Sequence, residues 1–423
     1  MDIVIELEMQ CRRARQASRK LAYTPTNAKN IALQFLAADL TTQKETILEA
    51  NAIDQIEAKN AGMPPAMLDR LVLDEHRIEL IAADVRSVAA LPDPVGEIFD
   101  MRTLPNGLTI GKKRVPLGVI AAIYESRPNV TIDITALCLK AGNAVILRGG
   151  KETINSNRAL VKIIVVALER AGIDANCVQF IDNPDRSLVS HLLRMNECID
   201  LVIPRGGIGL IKFVKDNSTI PVVAGGAGVC HTYVDASANI DDAVAIVYNA
   251  KAQKPSACNA LDTILVHKDI STAFLPKVAF ELAKTSVELH CDPVSMAILS
   301  GQPGLKLVPS TEDDWGKEYL ALTAAIKVVD SLDAALDHID SYGDGHSEAI
   351  VTENYSNARR FMNEVDAAAV YVNASTRFTD GAQFGLGAEV GISTQKMHAR
   401  GPMGLKEITS YKWLVYGSGQ IRP

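Results

Sequence analysis

Cys258 lies in QKPSACNALDTILVH, a polar loop with small neighbours that runs into an apolar strand. That setting allows its thiol to reach solvent, whereas Cys138 and Cys198 lie within or beside apolar segments. A thiolate there can attack an acyl carbon and hold the product as a covalent intermediate. It needs a basic neighbour or a helix N-terminus, because a free thiol titrates near about 8.5. The competing reading of any one cysteine is a small buried hydrophobe.

Two glycine-bearing turns come next. RGGKE (Arg148 to Glu152) and PRGGIG (Pro204 to Gly209) each follow a predicted strand and precede a predicted helix. Ligands of open α/β sheets bind at such turns, where backbone N–H groups and helix N-termini face outward. Neither turn matches GxGxxG or GxxxxGK[ST], so tight bending alone explains the glycines equally well. Arg148 and Lys151 add positive charge to the first turn, where a ribose phosphate favours a base and a ribose hydroxyl an acid. Arg377 in NASTRFTDG, and His398 and Arg400 in QKMHARGPMG, lie in glycine-containing loops able to close on an anion or simply to be solvated. No metal site is expected. HExxH and CxxC are missing, and adjoining His290, Cys291 and Asp292 would point to alternate faces of an extended chain. No GxSxG elbow supports a serine hydrolase.

The elements that must position these residues follow from periodicity. The first ninety or so residues read as helices, including KETILEANAIDQIEAK, for which Thr42 and Glu45 form a capping-box pattern, and Glu75 to Leu91, ended by PDPVG. Met101 to Val115 reads as a hairpin around Pro-Asn-Gly. From Leu117 the pattern becomes apolar strand, helix, apolar strand: LGVIAAIY, TIDITALCLKAG, NAVILRGG, NSNRALVKIIVVALERAG, CVQFID, LVSHLLRM, DLVIPRGG, IGLIKFVKD and TIPVVAGG. Such alternation predicts a doubly wound parallel sheet over about 115–226. A second alternating region runs from about Val229 to Val372, with DTILVH, SMAILS and AAVYVN as its sheet-like pieces. EITSYKWLVYGSGQ reads as a late strand, free to pair with the hairpin or with a neighbouring subunit.

The chain has 423 residues, 48% hydrophobic and 22% charged, enough for more than one buried core and unlike a disordered or fibrous protein. Lys plus Arg number 43 against 50 Asp plus Glu, a net −7 that argues against a nucleic-acid binder. The longest uncharged run, Asn217 to Val234, contains Pro221 and three glycines and does not read as a membrane span. An acidic N-terminus without an apolar core does not read as a signal peptide. Seven widely spaced cysteines suit a reducing, cytoplasmic compartment.

Three segments together, PLGVIAAIYESRPNVTIDITALCLKAGNAVILRGGKE, QKPSACNALDTILVH and ALDHIDSYGDGHSEAI, resemble the gamma-glutamyl phosphate reductase family of the aldehyde dehydrogenase superfamily. The likeness continues through FGLGAEVGISTQKMHARGPMGLKEITSYKW and covers nearly the whole chain; His346-Ser347-Glu348 is its most specific part. The resemblance implies an aldehyde-dehydrogenase-like α/β fold. A Rossmann-type NADPH-binding domain would span 1–100 and 114–226, an α/β catalytic domain 227–402, and a small β oligomerisation arm 101–113 and 403–423. It implies NADPH-dependent reduction of L-glutamate 5-phosphate to L-glutamate 5-semialdehyde with release of phosphate, the second step of proline biosynthesis from glutamate. Cys258 then stands at the nucleophile and Asn129 at the oxyanion donor. Arg148 and Lys151 stand at the adenosine ribose, Gly206 and Gly207 at the pyrophosphate, and Glu318 at the nicotinamide ribose. Arg377, His398 and Arg400 remain the candidate ligands of the small-molecule substrate, and His346 is open to a structural role. A homo-oligomer is expected, with a glutamate 5-kinase as a candidate docking partner.

Hydrolytic aldehyde dehydrogenases carry a glutamate before a Leu-Gly-Gly upstream of the cysteine. Val223-Ala224-Gly225-Gly226 occupies that stretch here, without the carboxylate. A hydrolytic dehydrogenase and a catalytically silent dinucleotide-binding scaffold are therefore the rival readings. The first is opposed by the missing base, the second by the presence of both Cys258 and Asn129.

Overall fold

A computed structural model describes residues 3–422. The chain divides into two compact units: residues up to Ala224 with Gly385–Gly391 and the segment from Met403 onward, and Gly225–Phe384 with Ile392–Pro402. Gly385–Gly391, within the expected catalytic stretch, thus packs with the first unit.

The first unit opens with helices α1 (Ile3–Leu21), α2 (Thr26–Thr42), α3 (Lys44–Asn60), α4 (Pro65–Leu71) and α5 (Glu75–Ala90). The expected capping box at Thr42 does not form. Thr42 is still helical and its hydroxyl donates to the Asp39 carbonyl, while Gln43 caps α3 without a side-chain hydrogen bond. Strands β1 (Ile98–Thr103) and β2 (Thr109–Pro116) make the expected hairpin.

The wound sheet follows: β3 (Val119–Tyr124), α6 (Asn129–Lys140), β4 (Ala144–Arg148), α7 (Ile154–Arg170), β5 (Val178–Phe180), α8 (Ser187–Leu192), β6 (Leu201–Arg205) and α9 (Ile208–Asn217). All six residues of β3 and all five of β4 are buried, as a sheet covered on both faces requires. Gly142 and Gly172, both at positive φ, end α6 and α7 as their sequence positions predicted. The parallel strand order is β5-β4-β3-β6, so the winding direction changes between β3 and β6. TIPVVAGG contributes only a single bridge, Val222 to Val202, instead of a full strand.

In the second unit the elements are β7 (His231–Val234), α10 (Ile240–Ala252), β8 (Thr263–His267), α11 (Lys268–Ala283), β9 (Glu288–Cys291), α12 (Pro293–Leu299), β10 (Lys306–Pro309), β11 (Thr323–Val329), α13 (Leu332–Tyr342), β12 (Ser347–Val351), α14 (Tyr355–Glu364) and β13 (Ala369–Val372). Among the described residues they build a seven-stranded parallel sheet ordered β10-β9-β11-β8-β7-β12-β13. SMAILS, expected as sheet, belongs to helix α12. Asp292 caps it by accepting from the Ser295 N–H at 2.8 Å, and Pro293 occupies its first position. Short strands β14 (Ile392–Ser393) and β15 (Gly401–Pro402) pair with each other. The late strand β16 (Thr409–Tyr416) returns to the first unit and pairs with β2 along its whole length, Thr409 opposite Pro116 and Tyr416 opposite Thr109. The two extended pieces isolated in sequence therefore pair within one chain.

Candidate active site

In the first unit, the turns after β3, β4 and β6 sit at the carboxyl ends of adjacent strands, around the change of winding. That is the crevice where doubly wound sheets bind ligands. Asn129 opens α6 after β3, and its amide donates to Asp133 at 2.8 Å. Burial pushes the Asp133 carboxyl up to about 7, opposed by the Asn129 hydrogen bond. The turn ahead of Asn129 is held by Glu152, whose Oε1 accepts from the Ser126 N–H at 2.8 Å and the Ser126 hydroxyl at 3.0 Å. Ser126 sits at φ +52°, a conformation costly without such support.

The turn after β4 separates its two basic residues. Arg148 is buried, with Nη1 donating to the Gly149 carbonyl at 2.7 Å and Nη2 to the Pro184 carbonyl at 2.9 Å. Burial pulls its pKa down. Lys151 is exposed at the start of a single 3-10 turn. Behind that turn, Asp54 from α3 accepts from the backbone N–H groups of Asn155 and Ser156 at 3.1 and 2.8 Å, a carboxylate at the helix N-terminus that fixes where α7 begins.

After β6, Gly206 and Gly207 are exposed and Gly207 caps α9. The Gly207 N–H donates to the Glu125 carboxylate at 3.0 Å, and a Cβ on Gly206 would run into the same carboxylate. These glycines do more than permit a bend: they bring bare backbone N–H to a place that already holds an anion.

The second unit carries the cysteine. Cys258 is partly exposed, in the loop between α10 and β8. Gly228 lies against it so closely that a Cβ there would meet the Cys258 Cα, C and O. Cys230 stands just ahead of β7, Cys258 ahead of β8 and His346 just ahead of β12, three strands side by side in the sheet. The cysteine thus lies at the amino ends of the strands, where the chain enters the sheet. Lys251 and Asp262 form a fully buried pair at 3.7 Å behind the loop, and the lysine also donates to the Leu261 carbonyl at 2.8 Å.

Arg377 is brought to Cys258. Burial pulls its pKa down, and the next influence on it is the favourable charge of Cys258. Its Nε donates to Gln253 at 2.8 Å. The two segments are joined through Asn259, whose amide donates to the Arg377 carbonyl at 3.3 Å and whose carbonyl accepts from the Thr376 hydroxyl at 2.7 Å. Glu318 is half-buried ahead of β11, close enough to help raise the carboxyls of Asp262, pushed up to about 6, and Asp344, pushed up to about 7, both chiefly by burial. Arg400 is committed elsewhere. It donates to the Asp366 carboxylate at 2.7 Å and to the Asp366 carbonyl at 3.0 Å, and Lys396 pairs with the same carboxylate. His398 is exposed at φ +69°. Among the described residues, no group of three His, Cys, Asp or Glu side chains is placed to hold a metal ion.

Several residues around these turns were missed from sequence: Asp133, Glu125, Glu152, Cys230, Thr379 and Asp344. Asp133 had a usable signal, since it lies one helical turn after Asn129 on a predicted helix. Glu125, Glu152, Cys230 and Thr379 meet their partners only through tertiary structure.

The aldehyde dehydrogenase family matches residues 6–298. A gamma-glutamyl phosphate reductase of Dehalococcoides mccartyi strain CBDB1 is 67% identical over 419 residues, 99% of either chain. That of Chloroflexus aggregans is 56% identical over 422 residues, covering 99% of this chain and 100% of the relative. The crystal structure of the Thermotoga maritima gamma-glutamyl phosphate reductase superposes with a TM-score of 0.95 at 49% identity, covering 99% of this chain and all of that one. The chain belongs to the aldehyde dehydrogenase family and, within it, to the gamma-glutamyl phosphate reductase family.

Proposed function

We propose that this chain reduces L-glutamate 5-phosphate to L-glutamate 5-semialdehyde with NADPH and releases phosphate, the second step of proline biosynthesis from glutamate. The observation that carries the reading is the half-exposed Cys258, with the Arg377 segment bonded to the adjoining Asn259, in a chain aligned end to end with reductases of that name. The Cys258 thiolate attacks the side-chain acyl carbon, a thioester forms, and phosphate leaves without a strong general acid. Arg377 supports the thiolate and offers a guanidinium to the anionic substrate. Asn129 and the Cys258 backbone N–H serve as donors to the oxyanion, where losing one donor typically raises the barrier by ~3 kcal/mol.

The first unit's turns fit a dinucleotide. Gly206 and Gly207 bring backbone with no side chain to a place where the Gly207 N–H already holds a carboxylate, and Lys151 is an exposed cation. The pyrophosphate is assigned to those glycines, the ribose phosphate to Lys151 with Arg148 bracing the turn, and the nicotinamide ribose to Glu318. When bound, NADPH supplies the hydride. His398 and Arg400 are weaker substrate ligands than Arg377 on this geometry, because Asp366 already occupies the Arg400 guanidinium.

The sheet β1-β2-β16 bears exposed Tyr411, Trp413 and Val415, which supports a homo-oligomer built through it. No helix among the described residues is long and apolar enough to cross a membrane; the seven widely spaced cysteines, with no CxxC pair, support a cytoplasmic setting. A glutamate 5-kinase is the partner whose product this site would consume. The deciding assay runs the reaction backwards: semialdehyde and NADP should yield NADPH only when inorganic phosphate is supplied. Phosphate-independent turnover would establish the hydrolytic alternative instead.

A further inference from the structure

A chain of buried polar groups under the Cys258 loop takes part in no step above, and it closes on itself. The Cys230 thiol donates to the Cys258 carbonyl at 3.3 Å. Its sulfur is 3.8 Å from Nδ1 of His346, and that nitrogen is 2.8 Å from the Ser347 hydroxyl. Ser347 Oγ is 2.7 Å from Thr379 Oγ1. The Thr379 carbonyl accepts from the Asn259 side-chain amide at 2.8 Å, and Asn259 is the residue that follows Cys258. The circuit leaves Cys258 through its carbonyl and returns through the next residue's side chain, with the nucleophile's peptide bond held between the two ends.

The circuit is dry. Cys230, Ser347 and Thr379 are fully buried and His346 and Asn259 nearly so. Burial keeps Cys230 a thiol, and therefore a donor, at neutral pH, and it pushes the His346 ring down to about 4, so the ring is neutral there. The single thiol hydrogen goes to the carbonyl, so Cys230 and His346 meet in packing contact, while the other links are hydrogen bonds, each stronger in such a medium than in water. Thr379 is where the arms meet: its hydroxyl ends the path through Cys230, His346 and Ser347, and its carbonyl holds Asn259. Tyr371 adds a second partner to that hydroxyl at 2.7 Å.

We propose that Thr379 is a positioning residue for the Cys258 nucleophile, holding the Cys258–Asn259 peptide through this closed circuit. The proposal rests on the thioester reading of Cys258. It assigns His346 and Ser347 a part in catalysis without contact with substrate: they transmit position to the cysteine.

The test is Thr379→Val, which keeps the shape and the carbonyl and removes the hydroxyl. The expected result is a fall in kcat of about ten-fold or more, since misplacing a reacting group by a fraction of an ångström is costly. KM for NADPH should stay within about two-fold, and Thr379→Ser should restore kcat. A wild-type kcat in Thr379→Val overturns the proposal, and so does a loss that Thr379→Ser leaves unrescued. Should the valine variant not fold, Ser347→Ala breaks the same arm one hydroxyl earlier and is read by the same kcat and KM criteria. Turnover retained by Cys258→Ser would sink the thioester reading itself. Turnover lost there, with Thr379→Val unaffected, would sink the positioning role alone.

Discussion

The side-chain amide of Asn129 donates to the carboxylate of Asp133 one helical turn further along α6, at 2.8 Å. One amide hydrogen is thereby fixed, and the other takes a set direction. Because burial raises the Asp133 carboxyl to about 7, above its unfolded value near about 3.9, the folded chain binds a proton there that the unfolded chain has already released. Stability from this group is full below the unfolded pKa and is lost as pH rises through about 7. Asp133→Asn, which cannot ionise, should gain melting temperature relative to the native chain as pH climbs from 4 to 8. A melting-temperature difference that does not change with pH would refute this account.

Gly228 presses on the backbone of Cys258, so Gly228→Ala must push the cysteine loop aside. The expected loss in kcat is about a hundred-fold, with dinucleotide affinity preserved. Steady-state kinetics with a parallel NADPH titration check it; normal kcat would mean that the loop yields at no cost.

The Gly207 N–H already holds the Glu125 carboxylate at 3.0 Å. The pyrophosphate proposed for this turn would have to displace that charge or share the place with it. Glu125→Gln should therefore tighten NADH and NADPH alike, by about two- to ten-fold, because like charges a few ångströms apart repel. Fluorescence titration measures both affinities. A change confined to NADPH would place Glu125 near the ribose phosphate instead.

Lys151 is exposed and free to meet a phosphate, while Arg148 is spent on backbone carbonyls. Lys151→Glu should weaken NADPH by about ten-fold or more and leave NADH nearly unchanged. Equal effects on the two would remove this residue from cofactor selection.

Much of the architecture was legible because it is local. Glycines at 142 and 172 end helices where the chain must reach positive φ, and uninterrupted apolar runs such as VIAAIY mark buried parallel strands. Local signals also misled. Ser295 to Ser300 has the apolar density of a strand, but Asp292 and Pro293 start a helix there. Strands Glu288–Cys291 and Lys306–Pro309 carry too few apolar residues to stand out, being paired near one edge of the sheet. At the candidate site, Cys258 and Arg377 stood out in sequence through the polar and glycine-containing loops that carry them. The surrounding circuit was invisible: Cys230 and His346 are 116 positions apart, and only the adjacency of β7 and β12 makes them neighbours.

That adjacency has a consequence for how the protein is made. Strand β12 pairs in parallel with β7, bringing Glu348 opposite His231, across more than a hundred intervening residues. Such distant pairing is slow to form, since the closure of a long loop precedes any reward from contact. A nascent chain still lacking β12 has already synthesised its cysteine loop but not His346, Ser347 or Thr379. The surroundings of Cys258 are therefore completed late, after the wound sheet near the N-terminus has had time to fold.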